Sequence, residues 1–153
     1  MATTTHLSLE ERLDRQESRA EIDALGANYC RGCDGRDAKV FMSIWHEDAS
    51  YDVGGPFSAY QGHEQIRVGL QEIWDALAET HHWPANATVE FEASDRASGR
   101  SDVGFELVDN DGRFVVGAAS YDDRFERRDG VWKIAHRKVD IHYRRAVSAE
   151  MYD

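Results

Sequence analysis

One stretch of the chain carries a carboxylate into a place where a lone carboxylate is costly. In residues 20–37, AEIDALGANYCRGCDGRD, the side chains Ile22, Leu25, Gly26, Tyr29 and Cys33 recur at i, i+3, i+4, i+7 and i+11, which is one face of a helix. The stripe begins aliphatic, ends in a phenol and a thiol, and runs into Asp34. A carboxylate at the inner end of a buried stripe requires a partner. Histidine is the partner that would make the pair chemically useful. A neutral imidazole accepts a proton near neutral pH, and a carboxylate beside it fixes the tautomer and stabilises the imidazolium that forms. Two adjacent histidines, His81 and His82, open a strand-like segment about fifty residues downstream. Alternation along a strand sends them to opposite faces, so only one of them can meet Asp34. Periodicity leaves the two equal, and Pro84 can bulge the strand and alter the parity.

Other residues bear on the same chemistry. A fixed arginine stabilises negative charge developing on an oxygen, and a tyrosine hydroxyl can donate a proton to a leaving group. His46, His63, His136 and His142 show no ligand spacing with an acidic partner, so no metal is expected. No Gly-rich phosphate loop and no G-x-S-x-G elbow occurs, so no cofactor is expected. The two cysteines form Cys30-x-x-Cys33. A redox C-x-x-C opens a helix, where the dipole lowers the thiol pKa; this one closes a helix, and reads as two buried small side chains.

The elements that must position these groups are legible from periodicity. Ser8 and Glu11 form a capping-box pattern that starts a helix over residues 9–33, with Gly32 and Gly35 as its stop. Residues 1–7 read as a loose arm. Asp37 caps a second helix over 38–45, a strand covers 49–53, and 57–60 returns as a short hairpin arm after Gly54-Gly55-Pro56. A third helix covers 64–78 with Ile66, Leu70, Ile73, Trp74 and Leu77 as its stripe. The period then changes to 2, giving strands over 81–93, 101–108, 113–127 and 131–143. Asp109-Asn110-Asp111-Gly112 and Arg128-Asp129-Gly130 read as hairpin turns. The tail from residue 148 reads as frayed or as cover for a neighbour. The sum is one α+β domain over 1–153, three helices packed on a curved antiparallel sheet that curls into a cone around a blind pocket.

Composition narrows the function classes. The chain has 153 residues and a net charge of −11, which argues against nucleic acid as a partner. No apolar run approaches the roughly 18 residues of a membrane span, and the N-terminus lacks the order of a signal peptide. A cytoplasmic protein acting on an apolar small molecule is expected.

The order of elements, with YCRGCD, ETHHWPANATVEF and FERRDGVWKIAHRK, resembles the SnoaL-like branch of the nuclear-transport-factor-2, ketosteroid-isomerase and scytalone-dehydratase superfamily. Within it, the hexachlorocyclohexane dehydrochlorinases and bile-acid 7α-dehydratases look most similar. The resemblance covers about residues 8–143; the RRDGVWKI hairpin speaks for fold, and Tyr29-x4-Asp34 with the distant His-Trp is more specific. It implies a cone-shaped α+β barrel, and an Asp–His dyad that removes a proton during an elimination. The matching residues are Asp34 and His82, and the family arginine of the last strand falls on Arg137. The position that is lysine in the dehydrochlorinases and tyrosine in the dehydratases is Tyr29. The resemblance further implies a homo-oligomer built through the outer sheet face, a trimer in the similar enzymes and a dimer in other branches.

The expectation is a cofactor-independent lyase acting on an apolar cyclic or aromatic molecule, by loss of water or of another small fragment such as formaldehyde. Asp34, His82, Tyr29 and Arg137 carry the chemistry. Trp45, Trp83 and Tyr51 bind the substrate, with His142 at the mouth. An isomerase or cyclase would use the same base and return the proton elsewhere. A non-catalytic binding module of the same fold would keep Asp34 and His82 apart.

Overall fold

The computed structural model describes residues 7–54 and 59–148. Most of the expected N-terminal arm, the first half of the return at 57–60, and the tail after 148 lie outside the described residues. Helix α1 runs Leu9–Asp34 and starts where the capping box requires. The Ser8 hydroxyl accepts from the Glu11 N–H at 3.1 Å, and the Glu11 carboxylate accepts from the Ser8 N–H at 2.7 Å. The reciprocal pair satisfies two donors that a helix start leaves orphaned. The first half of α1 is largely solvated; its second half buries Ile22, Leu25, Tyr29 and Cys33 on one face. The helix ends one residue later than its stripe predicts, so Asp34 is itself helical.

Helix α2 spans Ala38–Ser43, with the Asp37 side chain accepting from the Val40 N–H at 3.0 Å. It stops short of residue 45. The Ile44 carbonyl instead accepts from the Ile134 N–H at 2.8 Å, which draws the chain into the sheet. Trp45 therefore opens strand β1, Trp45–Asp52. Strand β2 is Ala59–Gln61 and helix α3 is Gly62–Ala76. Four long strands follow: β3 Leu77–Phe91, β4 Arg96–Asp109, β5 Phe114–Arg128 and β6 Val131–Val147.

The six strands form one sheet in the order β2-β1-β6-β5-β4-β3. β3 to β6 make the antiparallel meander that the turn chemistry predicts. The turns use positive φ at Gly112, Asp129 and Gly130. β1 lies beside β6 in parallel. The sheet is therefore mixed rather than antiparallel throughout, and it is open, with β2 and β3 as its edges. The cone-shaped α+β class stands without closure into a barrel. Register shifts in β3 and β6 mark where the strands depart from flat pairing, as bulges do. Helix α1 packs on β3 and β6, and α3 on β1 and β3, over a core in which Phe41, Trp45, Ile66 and Ile134 have no exposed surface.

The end of α1 is held by close packing. The Trp74 indole N–H of α3 donates to the Cys33 carbonyl at 2.8 Å, and the Asp37 N–H donates to the Gly32 carbonyl at 2.9 Å. Both cysteines are free and buried. Burial first, and the nearby Asp34 charge second, push the Cys33 thiol up to about 12 and the Cys30 thiol up to about 11. The folded protein is thus expected to resist alkylation by iodoacetamide at pH 8 and to react fully in denaturant, as counted by mass spectrometry.

Two glycines of α1 give opposite expectations. A Cβ on Gly32 would lie 2.5 Å from the Phe41 backbone nitrogen, whereas a Cβ on Gly26 would meet nothing within 4 Å. Helix propensity favours alanine at both by about 0.5–1 kcal/mol. Gly26→Ala should therefore stabilise by about that amount. Gly32→Ala should destabilise by about 1–3 kcal/mol, because α2 must move away from α1. Urea titrations of the two variants measure both signs.

Candidate active site

The last residue of α1 meets the first half of β3. The Asp34 carboxylate accepts three hydrogen bonds from that strand. The Thr80 hydroxyl donates at 2.9 Å, the His82 backbone N–H at 2.9 Å, and the His82 ring Nδ1 at 2.6 Å. Next to a carboxylate, Nδ1 is the protonated nitrogen and Nε2 is left bare as an acceptor. Thr80 and His82 share a face because they are two residues apart on a strand. His81 takes the other face, exposed, with its ring stacked on Trp83 at 6.1 Å. The choice that periodicity left open is therefore settled by geometry. The irregularity beyond Pro84 falls between Ala85 and Thr88, past His82, so it does not disturb the parity. An earlier irregularity between Leu77 and Glu79 is braced from the loop after α1: the Arg36 guanidinium donates to the carbonyls of Leu77 and Ala78 at 2.6 and 3.1 Å.

His82 lines a cavity of about 80 Å³ in the concave face of the sheet. Val103, Phe105, Ala119 and Ile141 supply apolar walls; Tyr29, Tyr51, Tyr121 and Thr80 supply hydroxyls; Arg144 is also in the lining. The Tyr29 and Tyr51 hydroxyls share a hydrogen bond of 2.6 Å. Burial, as the largest cause, pushes the Tyr29 and Tyr121 phenols well above their ordinary value, and raises Tyr51 too. These phenols stay protonated throughout the physiological range and act as hydrogen-bond donors. The Cys33 thiol in the same lining is held protonated as well.

Arg137 is 2 % exposed and is not part of this lining. Its Nε and Nη2 both donate to the Asp123 carboxylate at 2.7 Å. Its guanidinium carbon lies 4.6 Å from the Tyr29 ring centroid and 4.2 Å from that of Tyr121. Burial opposes its charge, but Asp123 outweighs burial and holds it protonated. Arg137 lies outside this lining and, with Asp123, lines the neighbouring groove between α1 and β3. It backs the two phenols that line the cavity; two of its nitrogens are held by Asp123, while Nη1 is buried without a hydrogen-bond partner among the described residues.

Three further residues expected at the site lie away from this cavity. Trp83 is 52 % exposed on the outer face, since alternation opposes it to His82. Trp45 is completely buried, packed on Tyr51 at 4.9 Å and on Phe41 at 5.8 Å, and so belongs to the core behind the cavity. His142 lies on the outer face, where its Nε2 shares a 2.8 Å hydrogen bond with the Ser120 hydroxyl. Tyr51 and Tyr29 do line the cavity. His46, His63 and His136 bond to Glu126, Trp45 and Ser50 respectively, which are structural attachments.

Sequence reasoning missed Thr80, Tyr121, Asp123 and Arg144. Thr80 was within reach, being two residues before His82 on the same strand. Cys33, Asp34 and His82 also place three possible metal-ligand atoms within 4.8 Å of one another. Two of these groups, Asp34 and His82, are joined to each other at 2.6 Å. A larger groove of about 310 Å³ runs between α1 and β3, and includes Arg19, Asn86 and Asp123 but not His82.

Comparison with known proteins places the chain in a family. Residues 14–138 match the model of the SnoaL-like domain. Hexachlorocyclohexane dehydrochlorinase 1 of Sphingobium indicum is 35 % identical over 134 residues, 86 % of each chain. The crystal structure of a type 2 hexachlorocyclohexane dehydrochlorinase, LinA, superposes with a TM-score of 0.85 at 31 % identity, covering 90 % of this chain and 94 % of that one. A type 3 LinA from Novosphingobium barchaimii gives a TM-score of 0.84 at 30 % identity, covering 90 % and 95 %. With the family model matched over most of its length and relatives of this identity spanning nearly all of it, the chain belongs to the SnoaL-like domain family.

Proposed function

We propose that the protein is a cofactor-independent lyase in which His82, oriented by Asp34, removes a proton from an apolar ring-bearing substrate as a neighbouring group departs. The coarser statement, an enzyme of the eliminating lyase type, rests on its dehydrochlorinase relatives at 33–35 % identity. The observation that carries this reading is the 2.6 Å bond from His82 Nδ1 to Asp34, with the imidazole in the lining of a cavity walled mainly by apolar side chains.

Nε2 takes the proton from carbon, the C–H electron pair becomes the new π bond, and the leaving group departs with its own bonding pair. Asp34 stabilises the imidazolium without taking its proton. A leaving hydroxyl needs a proton, and the Tyr29–Tyr51 pair offers a phenolic donor to the same space. This favours loss of water over loss of chloride, although the dehydrochlorinase relatives keep chloride as a test substrate. Loss of formaldehyde would use the same base on an O–H, with the C–C bond breaking in place of C–O.

The reading includes a homo-oligomeric, cytoplasmic protein, with a trimer favoured. In support of assembly, Trp83, Gly104, Ala118 and Tyr143 pair in one register row across the outer face. Its two aromatic ends are 52 % and 48 % exposed. Among the described residues, no helix is long and apolar enough to cross a membrane.

The test is turnover on a panel of hexachlorocyclohexane and of ring compounds with a hydroxyl β to an acidic C–H. His82→Ala should lower kcat by about 10²–10⁴, the usual share of a positioned base. Asp34→Asn should act similarly, because an amide can donate to Nδ1 and reverse the tautomer. Wild-type rates in both variants would reject the dyad, and products of unchanged mass would replace elimination by isomerisation. The pH profile gives a second expectation. On its alkaline side activity should stay level to about pH 10, since the cavity phenols titrate above their ordinary value. An alkaline fall near pH 8 would contradict their role as donors.

A further inference from the structure

Strand β6 carries one extra residue beside the cavity. Ala119 of β5 pairs with Ile141 and Ala118 pairs with Tyr143, which leaves His142 without an opposite number. A bulge of this kind reverses the face taken by the side chains that follow it. Val139 and Ile141 line the cavity, and regular alternation would bring Tyr143 next. Instead Tyr143 is on the outer face, with the Arg145 guanidinium 5.4 Å from its ring centroid. Arg144 takes the inward position, exposed to solvent and in the lining of the cavity.

The charge so placed is unusual for its surroundings. The chain has 29 acidic residues and a net charge of −11. Yet among the described residues no carboxylate pairs with Arg144. Every other polar group in the lining is a neutral hydroxyl, a protonated thiol or the His82 imidazole. The cavity is also small. At about 80 Å³ it is near half the roughly 150 Å³ that encloses a benzene ring in a dry protein cavity. A ring-bearing substrate therefore places its reacting part beside His82 and carries the remainder out through the mouth.

We infer that Arg144 binds a carboxylate on that projecting remainder, so that the preferred substrates are ring compounds with an acid group a short arm away from the carbon deprotonated by His82. The inference rests on the cavity being the substrate site. A guanidinium suits this task because its planar fork matches a carboxylate and cannot be neutralised at working pH. In solvent the pair provides selectivity more than tight binding. The bulge supplies the specificity: it turns a residue that a regular strand would aim outward toward the bound molecule.

The experiment compares phenylacetate with phenylacetamide, which have the same shape and differ in charge. Binding to the full chain is followed by NMR at pH 8.5 through the His82 ring C–H signals. Phenylacetate should bind about ten-fold more tightly, and both probes should shift the His82 signals. Arg144→Met should abolish the preference, Arg144→Lys should keep part of it, and 0.5 M salt should narrow it. Equal affinity of the two probes, a preference that survives Arg144→Met, or no binding by either probe would overturn the inference. The two readings fail separately. Binding that leaves the His82 signals unmoved removes the cavity as the substrate site. Binding that moves them equally with and without Arg144 removes only the anion contact.

Discussion

The contact between Asp34 and β3 is the constraint on which the site depends. Asp34 is the last residue of α1, at the end of a helix where the dipole disfavours negative charge. Its carboxylate is only partly exposed, so solvent compensates little. Two donors from His82 and one from Thr80 offset both costs. The consequence runs in both directions. The helix end needs the strand in order to keep its charge, and the imidazole needs the helix end in order to keep its orientation. The packing around the pair supports this. Gly32 lets α2 come against α1 with no side chain between them. Trp74 ties the last turn of α1 to α3, and Arg36 ties the loop after α1 to the start of β3.

A second buried pair sits deeper. The ion pair of Arg137 with Asp123 is fully enclosed, and such pairs often add little net stability, because desolvation consumes the Coulombic gain. Its position suggests a different value. The guanidinium lies against the rings of Tyr29 and Tyr121 within 5 Å of each centroid, close enough for cation–π attraction. The pair therefore fixes the two phenols that line the cavity wall. The cavity lining itself is apolar or neutral apart from the imidazole and Arg144.

Most of this was legible in the chain. The capping box at Ser8, the cap at Asp37 and the hairpin turns before β5 and β6 are local chemistry, and each lies where the sequence places it. The change of period after α3 located the meander. The parallel seat of β1 was not legible, since it depends on a long-range bond from Ile134 to Ile44 and on no local signal. The site divided in the same way. Alternation assigns Thr80 and His82 to one face, and Asp34 lies at the end of a visible stripe. Trp45, Trp83 and His142 were misplaced because an aromatic or imidazole near a site in sequence can lie behind it or across the sheet from it. Arg137 was assigned to substrate because nothing local shows that Asp123 already holds it. Arg144 could not have been found, because its direction depends on one unpaired residue at His142.

The central claim is that Asp34 holds His82 with Nδ1 protonated and Nε2 bare toward the cavity. The most direct measurement is ¹⁵N NMR of the histidine side chains in uniformly labelled protein, at a pH above the imidazole titration, with His82 assigned through His82→Gln. The account predicts a protonated Nδ1 and an unprotonated Nε2 at His82. A ring protonated on Nε2, or one exchanging freely between tautomers, would contradict it.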